Sequence, residues 1–322
     1  MAAPKTAPPK LMSQTTETLS SRVEATYKAR EVEGVLDLYF YRPVGFRLAE
    51  FFAHLQMTPA AVTLLAGVCG VIAGHLYYYR DLRINMVGMV LHVCSNALDN
   101  ADGQLARLTR RESRKGRIID SLADHLVFVS IYLHLVLRAL AEGSSPAIWF
   151  LALAAGISHA LQGAAADYYR STYLYFVTNG ARAGIDSSSG LRSKYQGGTW
   201  RQRAWNKFLL ALYLNFTRQQ EMLAPQLKKL RETVTELFHG QIPAWLEQAY
   251  RNSAGGTFKW WSLLMTNSRM LVLFALLFLS QPVYYFWFEL IPLNLLFVYL
   301  LVRQEKMAES LEHLIMAPRH SA

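Results

Sequence analysis

The sequence predicts an all-α integral membrane protein with about six transmembrane helices, an N-terminal interfacial helix and a cytoplasmic amphipathic helical insertion. Three observations predict it. The apolar residues, 52% of the 322, arrive in blocks instead of being interleaved with charge. Segments 59–79, 147–166 and 270–288 each hold about the ~20 apolar residues that a bilayer-crossing helix needs. Shorter apolar runs precede Asp99, follow Asp124 and follow Glu289, which makes six crossings. A soluble helical core would instead show charged residues every few positions along an outer face.

The elements follow in chain order. Residues 1–38 open Pro-rich and polar, without the apolar centre of a signal peptide, and read as a disordered or helical tail. Residues 39–174 hold the interfacial helix and the first four crossings. YFYRPVGFRLAEFFAHLQMTP mixes aromatics, Leu and Arg as a helix lying in the membrane surface does. Thr58-Pro59 then starts the first crossing, Thr as cap and Pro as first helical residue. Residues 175–258 form the insertion. GIDSSSGLRSKYQGG (184–198) reads as a Gly/Ser-rich loop. Trp205, Phe208, Leu209, Leu212 and Phe216 then share one helical face beside Arg203, Lys207 and Arg218, as on a membrane-surface helix. Leu223, Leu227, Leu230, Val234 and Leu237 cover two heptads, fewer than a coiled coil requires, so a short packed helix is the simpler reading. Residues 259–303 hold crossings five and six, and 304–322 a C-terminal tail. Cys69 and Cys94 lie inside apolar blocks and read as packing residues.

Net charge is +10. Its densest run is Arg107, Arg110, Arg111, Arg114, Lys115 and Arg117, between the second and third crossings. Basic loops stay on the cytoplasmic side, so this loop and both termini are expected there. The charge then faces anionic headgroups and nucleotide phosphates; no soluble basic domain exists to carry nucleic acid.

Around that loop stand four aspartates. Asp99 and Asp102 are three apart, Asp120 and Asp124 four apart, so each pair shares a helical face. A helical hairpin brings the pairs together, and four close carboxylates repel unless cations relieve them. Clustered carboxylates suit Mg²⁺, which shares its shell with substrate phosphate, and two ions would neutralise a diphosphate. Gly103 and Ala106 leave room beside the first pair, Gly116 lets the connection turn, and Arg107 offers a phosphate partner. The bland alternative is a solvated charge run paired to its own arginines. A cation pathway, another use of membrane aspartates, fits poorly with six basic residues alongside.

The pattern Asp99-x2-Asp102-Gly103-x2-Ala106-Arg107-x8-Gly116-x3-Asp120-x3-Asp124 resembles, without gap or substitution, the signature of the CDP-alcohol phosphotransferase family. The resemblance implies that Asp99, Asp102 and Asp120 bind two divalent ions, Mg²⁺ or Mn²⁺. It implies that Asp124 is the general base and lies near the second ion. Gly103, Ala106, Arg107 and Gly116 would sit at the CDP moiety. It further implies a CDP-linked lipid donor, a polar alcohol acceptor, release of CMP and a homodimer. CDP-diacylglycerol is the expected donor, with inositol, a polyol phosphate or glycerol phosphate as acceptor. The alternative is a CDP-aminoalcohol donated to a lipid hydroxyl.

Arg170, near Asp167, and Arg269, near Asn267, fall at the expected cytoplasmic ends of crossings four and five. Two arginines there would hold an anionic acceptor; ordinary membrane-edge salt bridges are the competing reading. His92, His159 and Gln162 are polar residues inside apolar blocks. A neighbouring hydrogen bond is the usual fate of such residues.

Overall fold

A computed structural model describes residues 30–178, 187–196 and 200–317, with the side chains of Arg30, Arg114 and 200–206 left aside. Among the described residues every regular element is helical. A short π-helical turn, Asp37–Tyr41, leads into α1 (Arg42–His54). Then come α2 (Pro59–Leu76), α3 (Leu82–Leu108), α4 (Arg114–Ala141) and α5 (Ile148–Val177). The insertion folds as α6 (Ser188–Gln196), α7 (Trp200–Leu223), α8 (Pro225–Phe238) and α9 (Ala244–Ala254). The chain ends with α10 (Thr266–Phe278), α11 (Tyr284–Leu290) and α12 (Pro292–Met316).

Five segments are long and apolar enough to cross a membrane: Pro59–Leu76, Lys115–Ala141, Ile148–Val177, Ala244–Phe278 and Tyr284–Met316. Helix α3 is not among them, because its C-terminal half carries the charged signature. It nevertheless packs along the first candidate span. The Ser95 hydroxyl donates to the Ala66 carbonyl at 2.8 Å, Thr63 meets Asp102, and Gly88 lies against Leu76 and Tyr77. Helix α3 therefore runs antiparallel to α2 along its whole length. Helix α4 runs parallel to α2: Gly67 faces Ala123, Gly70 faces Val127, and Gly74 faces Ser130 and Ile131. α3 thus packs antiparallel to both α2 and α4.

Small residues make this three-helix unit tight. A Cβ on Gly70 would come within 2.8 Å of Ser95 Oγ and closer still to Val127, and one on Gly74 would lie 2.8 Å from the Ile131 backbone nitrogen. Close backbone approach through small residues is the usual packing device between membrane helices. Helix α1 lies over the far end of α3, where a Cβ on Gly45 would be 3.2 Å from the Ala101 backbone nitrogen. It buries Phe46, Ala49 and Phe52 and exposes Phe51 and Leu55, as an interfacial helix does.

Several expectations change. The apolar segment 270–288 is not one helix. α10 stops at Phe278, Ser280 takes a left-handed φ of 55°, and Pro282 precedes α11, since proline cannot continue a hydrogen-bonded helix. The fifth candidate span is instead Ala244–Phe278, which takes in α9 from the insertion and has an extended residue, Met265, just before α10. α12 runs to Met316, past the boundary at 303. Within the Gly/Ser-rich stretch 184–198, residues 188–196 form α6, because the Ser187 hydroxyl caps Gly190 and Glu221 accepts from both the backbone and hydroxyl of Ser188. The rest of that stretch lies outside the described residues, as do positions 1–29 of the tail, 318–322 and the side chains of Arg203 and Trp205.

The leucine run breaks at Ala224–Pro225. Leu227, Leu230 and Val234 are buried in a core with α5, α9 and α12, whereas Leu237 is exposed. That is a packed short helix. In α7, Phe208 and Leu212 are exposed but Leu209 is buried, so the expected lipid-facing stripe is partly turned inward. Residues 30–38, expected to belong to the tail, are docked: Val32 is buried in the same core.

Candidate active site

The site is built where α3 ends and α4 begins. α3 closes in a left-handed turn at Arg110 (φ 53°), with Arg111 N–H donating to the Ala106 carbonyl at 2.8 Å and Arg110 N–H to that of Arg107 at 3.2 Å. This pair of bonds satisfies carbonyls that a helix end would leave open. Ser113 caps α4 by accepting from Gly116 N–H at 3.0 Å. The connection therefore turns at Arg110, and Gly116, expected to make the turn, sits in the first turn of α4. The hairpin sets the two aspartate pairs side by side.

Asp99, Asp120 and Asp124 converge, each offering a carboxylate oxygen within 4.8 Å of those of the other two. Asp99 and Asp120 are half-buried; Asp124 is exposed at the mouth. Three carboxylates at this spacing repel in the absence of a cation and supply the hard oxygen donors that Mg²⁺ or Mn²⁺ take. The trio is thus positioned to hold a divalent metal. Asp102, the fourth aspartate, stands outside it. Its carboxylate is buried and accepts a short hydrogen bond from the Thr63 hydroxyl of α2.

The remaining signature residues line the same end. The Arg107 guanidinium lies back over Gly103, 3.6 Å from where a Cβ would stand. Its Nε is buried with no hydrogen-bond partner among the described residues. Ala106 is half-buried one turn beyond Asp102. Arg42 of α1 lies within electrostatic reach of Asp99, and its carbonyl accepts from the Gln104 amide at 3.1 Å.

The two arginines expected at the acceptor are both engaged by carboxylates. Arg170 pairs with Glu33 at 2.9 Å. Arg269 is 3% exposed and pairs with Glu289, itself fully buried, at 3.0 Å; it also donates to the Gln162 side chain. Gln162 donates on to Asn294 at 2.8 Å, and His159 lies 3.4 Å from Glu289. His92 hydrogen-bonds with the Tyr77 hydroxyl at 3.2 Å. Asp167 accepts from Gln220 of the insertion at 3.1 Å.

Thr63, Glu33, Arg42 and Glu289 escaped the sequence reading. Their partners stand from 9 to 137 positions away, beyond the three- or four-residue spacing that a helix face reveals.

Comparison with known proteins bears on this hairpin. Residues 56–173 match the model of the CDP-alcohol phosphatidyltransferase family. The matched region begins just before α2 and ends within α5, so it contains the whole carboxylate trio. A curated relative is the bifunctional IPC transferase and DIPP synthase of Thermococcus kodakarensis, 26% identical over 141 residues. That alignment covers 44% of this chain and 31% of the relative. Helices α6–α12 lie outside the matched domain.

Proposed function

We propose that this protein transfers a phosphatidyl group from CDP-diacylglycerol to the hydroxyl of a polar alcohol, releasing CMP. Inositol, a polyol phosphate and glycerol phosphate are the acceptor classes. The convergence of Asp99, Asp120 and Asp124 carries this reading, since three carboxylates facing one another match a cation-bound diphosphate better than any structural role.

Asp99 and Asp120 would hold one divalent ion and Asp124 would lie near a second. Asp102, whose carboxylate accepts from Thr63, would serve as a further ligand. Bound divalent cations, Mg²⁺ or Mn²⁺, would neutralise the diphosphate and the charge that builds on the leaving group. Asp124, the most exposed of the trio, takes the proton of the acceptor hydroxyl. The freed oxygen forms a bond to the phosphorus nearer the diacylglycerol. The bond from that phosphorus to the bridging oxygen breaks, and CMP leaves with the electron pair. Gly103 and Ala106 leave room for the cytidine diphosphate, Gly116 lies at its edge, and Arg107 donates to phosphate oxygens.

The basic α3–α4 connection supports a cytoplasmic site and cytoplasmic termini. The exposed apolar helix faces beside the trio suit the acyl chains of a lipid donor. A homodimer rests on the family resemblance alone.

The test is CMP release by the purified protein from CDP-diacylglycerol with Mg²⁺ or Mn²⁺ across a panel of alcohols. Release from CDP-diacylglycerol supports the reading. Release only from a CDP-aminoalcohol with a diacylglycerol acceptor replaces it with the alternative donor class. Asp120→Ala should raise the metal concentration needed for half-maximal rate as well as lowering the rate.

A further inference from the structure

Beside the trio lies a second charged group that no part of the signature accounts for. Arg42 from α1 and Arg170 from α5 converge on the carboxylate of Glu33. Arg42 donates from Nη2 to Oε1 at 2.7 Å and from Nε to Oε2 at 3.3 Å; Arg170 Nη2 donates to Oε1 at 2.9 Å. Arg107 of the signature stands within electrostatic reach of Arg42, Glu33 and Arg170. Two arginines forked onto one carboxylate are the geometry with which proteins grip a phosphate. Here the chain supplies the anion itself.

Glu33 is held there from both sides. The preceding residue, Val32, is 5% exposed in the main apolar core, and Glu31 is bonded to Arg251 and to the Tyr173 hydroxyl. The following Leu36 packs against the Tyr41–Ala97–Met270 cluster. The Glu33 side chain is 2% exposed. A carboxylate this enclosed and this firmly anchored is a fixed part of the fold, not a loose cover. A phosphate ester arriving at Arg42 and Arg170 would meet a like charge, and expelling Glu33 would strand a buried carboxylate. An uncharged polyol meets no such obstacle.

We propose that Glu33 sets acceptor specificity: it fills the anion-binding position between Arg42 and Arg170 and restricts the acceptor to uncharged polyols. The proposal rests on the transferase reading above and chooses among its acceptor classes.

The experiment measures binding and turnover of myo-inositol and myo-inositol 1-phosphate by the full chain in detergent with Mn²⁺, for the native protein, Glu33→Gln and Glu33→Asp. The native protein and Glu33→Asp should favour inositol. Glu33→Gln should shift the inositol phosphate to inositol ratio, in affinity and in kcat/KM, by about tenfold or more toward the phosphate ester. A native protein that binds inositol phosphate more tightly than inositol overturns the proposal, whether or not the Gln variant folds. So does a folded Glu33→Gln, judged by its melting temperature, whose ratio is unchanged. Absence of CMP release with every alcohol would remove the transferase reading, while the binding ratios would still decide the role of Glu33.

Discussion

Two of the charged groups in this bundle, the hairpin aspartates and the Arg269–Glu289 pair, are arranged in opposite ways. At the α3–α4 hairpin, Asp99, Asp120 and Asp124 face one another, like charge against like. In the bundle interior, Arg269 and Glu289 face each other, opposite charges completed by Gln162 and His159. The interior group is closed within the chain. The hairpin group is a set of oxygen donors positioned to take a divalent cation. A charge in an apolar helix is therefore not by itself a sign of chemistry; what matters is whether the fold already supplies its partner.

The largest expected effect tests the hairpin. Asp124→Asn should lower CMP release about 10²- to 10⁴-fold, the usual contribution of a positioned general base, while CDP-donor binding stays measurable. Undiminished CMP release in that variant would take the base assignment away from Asp124.

Next comes the interior pair. Arg269→Ala leaves Glu289 buried without its cation, which typically costs about 3–5 kcal/mol. The expected outcome is a large drop in the denaturation midpoint in detergent with acceptor KM unchanged in whatever protein folds. A raised acceptor KM at unchanged stability would reverse the contrast and return Arg269 to the acceptor site.

Thr63→Val probes the link between Asp102 and α2. Loss of a hydrogen bond to a charged group costs about 1.5–3 kcal/mol. If Asp102 is oriented by Thr63 for metal binding, the Mn²⁺ concentration for half-maximal rate should rise along with the stability loss. A pure stability loss would make the bond structural.

The smallest effect lies outside the crossings. Burial pushes the Glu221 carboxyl upward, but hydrogen bonds from Ser188 and Lys228 outweigh it and leave the group below its ordinary value of 4.5. A depressed carboxylate contributes stability that is present above its unfolded value and lost as pH falls through the folded one. Hydrogen exchange in α6 should therefore quicken below about pH 4.5 in the native protein. In Glu221→Gln that acid-dependent step should be absent; its persistence would assign the change to other groups.

The helical membrane class and the aspartate hairpin were legible because both are written in short-range pattern. Apolar blocks of bilayer length have few other folds available, since every backbone polar group must be satisfied internally. Asp99 and Asp102, like Asp120 and Asp124, are neighbours on a helix face wherever the helix goes. The Thr58 cap, the amphipathic helix α1 and the packed leucine helix α8 were readable for the same reason. The break at Ser280–Pro282 was less so, because the apolar composition continues across it and only the proline marks it.

Only the tertiary structure decided which charges are paired. Asp102 meets Thr63, 39 positions earlier; Arg170 meets Glu33 across 137 positions; Arg269 and Glu289 meet by the folding of α10 back against α11. Coulomb energy depends on distance and surroundings, which spacing along the chain does not fix beyond a helix turn. The sequence by itself determined that four aspartates flank a basic turn in a membrane bundle. The packing of α1, α2 and α5 around that turn determined that three of them are left facing one another, and that a glutamate from the chain's own N-terminal segment already occupies the neighbouring arginines.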